Sequence, residues 1–177
     1  LKKKNKFLKS CLVIPEGTQS ECLKLFNFSL LCAEKNMSYR FIWRVHPIIK
    51  IEKVLKKLNL PGKKLPSNVE ISKNNLIEAD LKKTYFTLYR GSGAIINCVA
   101  LGNIPLYLNN TKNANIDPLY KLNIKKNYIS NEDEFIKLCN FHVLKNRSNL
   151  GMIKDVNRNY CKKLEINKLI KFINKFK

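Results

Sequence analysis

The sequence predicts an α/β fold: a doubly wound parallel sheet of about six strands, with helices on both faces and a helical C-terminal tail. Short apolar segments alternate with helical patterns through most of the chain, which is typical of successive βαβ units. The clearest unit spans 84–108. It consists of an aromatic and β-branched strand, a Gly-Ser-Gly turn, a small apolar helix, a glycine stop and a second strand.

Length and composition indicate one globular domain, or one half of a larger two-domain protein. The chain has 177 residues, and 45% of them are hydrophobic, which is enough to form a core. It begins at Leu1, so a fragment of a longer protein is one expectation. The six cysteines are isolated and fall mostly on apolar faces. This pattern predicts buried free thiols in a reducing compartment rather than metal ligands.

The formal net charge of +21 comes mainly from lysine. Only five of the 34 basic residues are arginines, and the lysines are spread through a sequence rich in Asn and Ile. Arginine clusters with interleaved aromatic residues, the pattern of nucleic-acid-binding surfaces, do not occur. We therefore interpret the charge as a solvated lysine coat and expect no nucleic-acid partner, although a basic surface still favours anionic ligands and membranes.

The order of elements follows from the apolar patterns and the turn residues between them. Strands are expected, in chain order, at 11–14, 39–45, 69–71, 84–89, 104–108 and near 128. Helices are expected at 21–35, 51–58, 75–82, 94–101, 131–146, 148–163 and 165–176. Three serines stand where helix N-caps are expected: Ser20, Ser92, and Ser130, the last with Asp133 in a capping box.

We divide the chain into three parts. Residues 1–9 are a basic linker or fragment start, 10–130 form a Rossmann-like domain, and 131–177 contain C-terminal helices that pack on or extend the same domain. The last two helices are basic and amphipathic. We expect them either to pack on the sheet or to contact anionic lipid.

Three polar loops are expected to meet at one crevice. They are 15–20 after the first strand, His46-Pro47 after the second, and 90–93 after the fourth. In the common doubly wound order the first and fourth strands are neighbours, and ligands bind beyond the carboxyl ends of such strands. The sequence therefore predicts a ligand-binding crevice between these loops.

Two motifs at this crevice resemble the C-terminal, nucleotide-donor domain of bacterial glycosyltransferases of the GT-B type. The first is an aromatic strand ending in Arg44-Val45-His46-Pro47. The second, about forty residues later, is a strand, a small-residue turn with Ser92, and an apolar helix ending in Gly-x-x-Pro at 102–105. The most similar groups are surface-polysaccharide and capsule transferases, including sialyltransferases; teichoic-acid glycerophosphotransferases show a related pattern. The resemblance covers roughly residues 10–125.

The resemblance implies a nucleotide-binding role for three residues, and two glycines beside them are candidates on their own chemistry. His46 and Pro47 match the His-Pro motif of these enzymes, and Ser92 matches one serine of their later Ser-Ser or Ser-Thr pair. Gly91 and Gly93 flank Ser92, where a second Ser or Thr would stand. Their amides, with Ser92, form a neutral cradle for phosphate.

Four further roles, each with a plainer alternative, complete the candidate site. His46 is a catalytic candidate that donates to the leaving phosphate, or a structural histidine. Glu16, in an acidic-Gly motif similar to the one that supplies the sialyltransferase base, is a general base or a turn residue. Arg44 and Arg90 are phosphate-binding candidates, and Arg90 is equally well a solvated strand-end residue. Asp117 is a donor-binding candidate or an Asp-Pro turn.

The resulting expectation is an enzyme domain that helps to transfer a sugar from a CMP- or UDP-linked nucleotide-sugar to a glycan or lipid-linked acceptor. Its setting would be cytoplasmic surface-polysaccharide biosynthesis, with peripheral contact at the inner face of the membrane. The resemblance implies a missing N-terminal Rossmann-like domain. No Asp-x-Asp cluster is visible, so neither a metal nor another cofactor is expected. The alternatives are a glycerophosphotransferase, a nucleotide-sugar epimerase, or a non-catalytic nucleic-acid-binding domain.

Overall fold

The computed structural model describes residues 8–58, 60, 64–109, 115–122, 126–145, 150–161 and 166–175. Its strands are β1 (Ser10–Ile14), β2 (Arg40–Trp43), β3 (Val69–Ile71), β4 (Phe86–Tyr89), β5 (Ile104–Leu108) and β6 (Tyr128–Ile129). Its helices are α1 (Gln19–Lys35), α2 (Ile51–Leu55), α3 (Ile77–Leu81), α4 (Ile95–Ala100), α5 (Glu132–Lys145), α6 (Leu150–Asn159) and α7 (Ile166–Ile173).

The six strands form one parallel sheet in the order β3-β2-β1-β4-β5-β6. The chain winds outward from β1 to β3, returns to the middle of the sheet, and winds outward again from β4 to β6. Residue Val13 of β1 pairs with Leu88 of β4. The prediction of a doubly wound, Rossmann-like α/β fold is therefore confirmed, with its switch point between β1 and β4.

Both faces of the sheet are covered, which explains why β1 is apolar throughout. Because successive strand residues point to opposite faces, Cys11 and Val13 belong to one core cluster and Leu12 and Ile14 to the other. The first cluster contains buried residues of α1, α2 and α5, and the second contains residues of α3, α4 and α6.

An aromatic stack anchors α1 to the sheet. The rings of Phe26 and Trp43 lie 4.2 Å apart and nearly parallel. The Trp43 indole N–H donates to Ser29 Oγ at 2.8 Å, and this hydroxyl donates in turn to the Phe26 carbonyl oxygen at 2.9 Å. The two rings are fully buried, and burial of each contributes on the order of 2 kcal/mol. The polar Ser29 is thus satisfied inside an apolar layer.

All three predicted helix caps differ from the structure, two of them at the N-termini of α1 and α4. Helix α1 is capped by Thr18, whose side chain accepts from the Glu21 amide at 3.3 Å, so Ser20 lies inside the first turn. Helix α4 has Ala94 at its N-cap without a side-chain hydrogen bond, so Ser92 does not cap it.

The cap of α5 is shifted by one residue. Asn131 Oδ1 accepts from the Glu134 amide at 2.9 Å. The Glu134 carboxylate reaches back to the amide and the hydroxyl of Ser130, at 2.7 and 2.9 Å. These hydrogen bonds lower the pKa of Glu134. Glu134, not Asp133, therefore closes the capping arrangement.

The cysteines are free, as predicted, and five of the six are buried while Cys161 is exposed. Burial raises the pKa of Cys22 to about 11 and that of Cys98 to about 12. These thiols stay protonated near neutral pH and are poor nucleophiles. Within the described ranges, no cluster of three or more His, Cys, Asp or Glu side chains is placed to hold a metal ion.

Helices α5 and α6, after β6, pack on opposite faces of the sheet. Phe135 and Cys139 of α5 belong to the first core cluster, and Met152 and Val156 of α6 belong to the second. None of the helices in the described part of the chain is long and apolar enough to cross a membrane. Most of the predicted N-terminal lead-in, 1–7, and part of the long loop, 110–114 and 123–125, lie outside the described residues.

Candidate ligand-binding crevice

The loops that follow β1 and β2 touch one another. A Cβ atom placed on Gly17 would lie 3.0 Å from Ile48 Cδ1 and 3.3 Å from His46 Nδ1. The glycine thus lets the His46 ring approach the backbone of the β1 loop closely. The structure brings His46 to the crevice edge that the sequence predicted for it.

The loops that follow β1 and β4 also touch. A Cβ atom on Gly91 would collide with the carboxylate oxygen Glu16 Oε2, and would lie 2.9 Å from Ile116 Cδ1. A side chain at Gly91 would therefore have to displace the end of the Glu16 side chain. A Cβ atom on Gly93, by contrast, would meet nothing within 4 Å. Neither residue has a positive φ, which is found instead at Gly102, where α4 ends.

The Glu16 carboxylate is half-buried at the switch point. In the part of the chain that the structure describes, it has no hydrogen-bond or ion-pair partner. A carboxylate in this state has its lone pairs available, which is what a general base or an acceptor for a sugar hydroxyl requires. Because Gly91 carries no side chain, the carboxylate can lie directly against the β4 loop.

The His46 ring is exposed, and its Nδ1 accepts from the Ile48 amide at 3.4 Å. When Nδ1 of a neutral imidazole accepts a hydrogen bond, the proton is on Nε2. His46 can therefore donate from Nε2 to a ligand in the crevice. The following Pro47 is exposed as well and continues the rim.

Arg44 is tied to the loop after β3. Its Nη1 donates to Asp80 Oδ2 at 2.7 Å and to the Asn74 carbonyl oxygen at 3.0 Å, and its Nη2 donates to the Asn75 carbonyl oxygen at 2.7 Å. Asp80 is fully buried and also accepts from Ser72 Oγ at 2.7 Å. No motif marks Asp80 in the sequence, and the sequence-based prediction missed it.

A polar cavity of about 230 Å³ opens beside this network. It lies next to His46 at the carboxyl ends of β2 and β3. The residues that line it are Arg44, Val45, Pro47, Ser72, Asn74 and Asn75. The lining is mostly polar, and the charge of the Arg44 guanidinium within it is paired with Asp80.

Arg90 is buried, with 3% of its side chain exposed. Its Nε lies 3.0 Å from Glu21 Oε2, and Glu21 Oε1 lies 2.8 Å from Lys24 Nζ. Arg90 is therefore not the solvated strand-end residue of the plainer prediction, because it joins β4 to the first turn of α1. Its predicted role in phosphate binding stays a prediction.

Ser92 is half-buried in a turn that winds directly into α4. Its carbonyl oxygen accepts from the Ile95 amide at 3.2 Å, and that of Gly93 accepts from the Ile96 amide at 3.1 Å. The serine side chain makes no helix cap, so its hydroxyl is not committed to the role that the sequence suggested.

Asp117 faces the interior rather than the crevice. It is 5% exposed, and its Oδ1 accepts from the Tyr89 hydroxyl and from the Leu119 amide, each at 2.9 Å. Burial and the charge of Asp117 raise the pKa of Tyr89, so the phenol stays protonated and donates. Asp117 thus has the fixed, turn-supporting geometry of the plainer alternative.

The structure therefore divides the predicted site residues into two groups. Glu16, His46 and Gly91 meet around the β1 loop, with Ser92 next in the chain. Arg44, Arg90 and Asp117 each follow a strand of the same edge, but their charged groups are paired with buried partners: Asp80, Glu21, and Tyr89 with Lys126.

A doubly wound parallel sheet with loops converging beyond β1 and β4 defines a Rossmann-like domain, and ligands of such domains commonly bind at the switch point. No protein-family model matches the chain, and no curated protein sequence is similar to it.

Solved structures of similar fold include three proteins. The glycosyltransferase of kitacinnamycin has a TM-score of 0.58 at 15% identity, with 89% of this chain and 41% of that chain covered. TarM has a TM-score of 0.63 at 16% identity, with coverages of 97% and 36%. The glycosyltransferase SnogD from Streptomyces nogalater has a TM-score of 0.52 at 16% identity, with coverages of 84% and 39%.

At these identities the similarity shows the fold alone, a Rossmann-like α/β domain that the chain shares with part of each of these three structures. The chain spans less than half the length of each of these three proteins.

Proposed function

We propose that this chain is the nucleotide-sugar-binding part of a glycosyltransferase. The observation that carries the proposal is a pair of contacts beyond the carboxyl ends of neighbouring strands, Gly91 with Glu16 and Gly17 with His46. The unpartnered Glu16 carboxylate and an imidazole that can donate a hydrogen bond thus both belong to this edge of the sheet, where ligands of this fold bind. The similarity of fold to glycosyltransferases agrees with this reading.

In the proposed reaction, Glu16 accepts the proton of an acceptor hydroxyl. The acceptor oxygen forms a bond to the anomeric carbon of the donor sugar, and the bond from that carbon to the nucleotide phosphate oxygen breaks. His46 donates a hydrogen bond from Nε2 to the departing phosphate, whose negative charge grows in the transition state. The proton and the leaving group are thus handled by different residues.

The nucleotide lies, in this proposal, along the carboxyl ends of β2, β1 and β4. Ser92 and the amides of Gly91 and Gly93 hold the phosphate, together with His46. The cavity beside Pro47 accepts the nucleoside, since its lining is mostly polar. A metal ion has no part in the proposed reaction, and the donor is a CMP- or UDP-linked sugar.

The wider setting of the proposal rests on the resemblance in sequence. The acceptor is a glycan or a lipid-linked glycan of a surface polysaccharide or capsule, as in sialyltransferase-like enzymes. A second Rossmann-like domain binds the acceptor, in agreement with the short span of this chain relative to its structural neighbours. The reaction takes place on the cytoplasmic side of the membrane.

Calorimetric titration of the chain with CMP, CDP, UDP and GDP tests the proposal. We expect saturable binding of one of these nucleotides, weakened about tenfold or more by His46→Ala, because a hydrogen bond to a charged group is lost. His142→Gln is the matched control, since the chain has two histidines and His142 lies on α5. If all four nucleotides fail to bind, or if both variants bind as the unchanged protein does, the proposed site is wrong.

A further inference from the structure

The carboxylate of Asp117 is enclosed by groups from three parts of the chain. The Tyr89 hydroxyl, at the end of β4, and the Leu119 amide both donate to its Oδ1. Lys126 Nζ, from the segment before β6, lies 3.4 Å from its Oδ2, with 14% of the lysine side chain exposed. Asp117 therefore holds the loop after β5 against the end of β4.

The residue before Asp117 is fixed by a second tyrosine. The Ile116 amide donates to the Tyr107 hydroxyl, at the end of β5, at 3.2 Å. The Asp117 amide donates to Asn115 Oδ1 at 3.0 Å, which tightens the turn. Backbone on both sides of the Ile116 side chain is thus held by hydrogen bonds.

Ile116 is the part of this loop that reaches the crevice. Its Cδ1 lies beside Gly91, at the point that Glu16 Oε2 also approaches. The side chain is 39% exposed, so it is in contact with the β4 loop at Gly91 and still accessible to solvent. Glu16, Gly91 and Ile116 therefore form one contact, and the buried Asp117 stands behind it.

We propose that Asp117 is a positioning residue, which acts through Ile116 to hold the Glu16 carboxylate against the Gly91 turn. Asp117 does not touch the ligand in this proposal. The inference rests on the proposed function, which gives the Glu16–Gly91 contact its role. The contact itself can be measured without a ligand. It also explains why a carboxylate predicted to bind the donor faces inward.

The test is hydrogen–deuterium exchange of the backbone amides at 90–95, measured for three variants without nucleotide. We expect Asp117→Ala to raise the exchange rate of this segment about tenfold, because the contact that protects the turn is loosened. Ile116→Ala should raise the rate by a similar factor. The double variant should exchange no faster than either single variant, because both act through the same contact.

Two further variants distinguish loss of this contact from a general destabilisation of the protein. Tyr89→Phe keeps the aromatic packing of β4 and removes only the hydroxyl that donates to Asp117, so it should reproduce part of the effect in a folded protein. Tyr160→Phe is the matched control, since its hydroxyl donates to the Pro118 carbonyl oxygen at 2.8 Å, in the same loop but away from Ile116. It should leave exchange at 90–95 unchanged.

The outcomes separate this inference from the proposed function. Unchanged exchange at 90–95 in Asp117→Ala or Tyr89→Phe, or additive effects in the double variant, would overturn the positioning role. Coupled effects on exchange support the role even if CMP, CDP, UDP and GDP do not bind, in which case only the proposed function fails. If one nucleotide does bind, Asp117→Ala should weaken its binding to the otherwise unchanged protein. The same substitution should have no further effect on binding in a protein that already carries Ile116→Ala.

Discussion

At the scale of single residues, the crevice depends on a glycine that makes room for a carboxylate. The Gly-Ser-Gly turn suggested that both glycines serve the backbone conformation. The structure shows different requirements at the two positions, because a side chain at Gly91 would collide with Glu16, whereas one at Gly93 would meet open space. Substitution by alanine is therefore expected to have different effects on stability at the two glycines of this turn.

Gly91→Ala should destabilise the protein by about 1 kcal/mol, because the added methyl group displaces the ends of the Glu16 and Ile116 side chains but meets no backbone. Gly93→Ala should change stability by less than about 0.5 kcal/mol, since nothing opposes its methyl group. Urea unfolding of both variants measures the difference.

The double variant Glu16→Ala with Gly91→Ala is the control for the first prediction. Removing the Glu16 carboxylate makes room for the methyl group, so most of the lost stability should return. Equal stability of Gly91→Ala and Gly93→Ala would show that the Glu16–Gly91 contact does not restrict the turn.

The sequence predicts positions at the crevice better than it predicts the partners of the side chains there. His46 and Glu16 were found because they follow apolar strands whose carboxyl ends share an edge. The ion pairs of Arg44, Arg90 and Asp117 were not predicted. Their partners come from other elements, and no periodic pattern links an arginine at a strand end to an acid on a distant helix turn.

At the scale of elements, the loop between β3 and α3 is held by a buried charge. Asp80 accepts hydrogen bonds from Arg44 on one side and from Ser72 and Asn74 on the other, the last at 2.5 Å. The strand end of β2 and the loop after β3 are thereby fixed around one carboxylate. Both elements line the polar cavity, so the hydrogen bonds of Asp80 help to fix the positions of the residues that line it.

Asp80→Ala should destabilise the protein by about 2 kcal/mol, because it leaves the Arg44 guanidinium and two polar groups without their acceptor. The expected loss is smaller than for a fully enclosed pair, since 22% of the Arg44 side chain is exposed. Urea unfolding again measures the change.

Glu70→Ala is the matched control for this ion pair. Glu70 pairs with Arg40 at 2.7 Å, the same separation as in the Arg44–Asp80 pair, but both side chains are largely exposed, at 41% and 56%. It should cost less than about 1 kcal/mol because water screens an exposed pair. A loss as large as that of Asp80→Ala would mean that burial does not distinguish the two pairs.

The strands were predicted better than the ends of the helices. All six strands were placed, since most of them are short runs of apolar residues bounded by polar loops. Helix ends were less accurate. Ser20 and Ser92 are suitable capping residues, but the tertiary position of the preceding strand decides where a helix begins, and this placed the caps at Thr18 and Ala94.

At the scale of the whole molecule, the positive charge favours a second reading of the protein. A net charge of +21 would attract any polyanion, and a nucleic-acid-binding domain was the alternative from a different functional class. The proposed function has a single nucleotide bind at one place instead, where the loops after β1, β2 and β4 meet. Ionic strength distinguishes the two readings.

Binding of the preferred nucleotide should weaken by less than about tenfold between about 50 and 200 mM salt, since a small ligand releases few counterions. Binding of a duplex DNA oligonucleotide, if any, should fall by about a thousandfold over the same range. Fluorescence anisotropy with labelled ligands measures both. Tight DNA binding that survives the higher salt and is unaffected by His46→Ala would favour the nucleic-acid reading.

The place of β1 in the sheet has a consequence for the order of events in folding. Its neighbours are β2, which follows closely in the chain, and β4, which is synthesised only after two further helices and a strand. A growing chain can pair β1 with β2 early, but one edge of β1 stays open until β4 emerges from the ribosome. During that interval the apolar Ser10–Ile14 segment is the part of the chain most exposed to wrong pairing, and the first place where a chaperone would be needed.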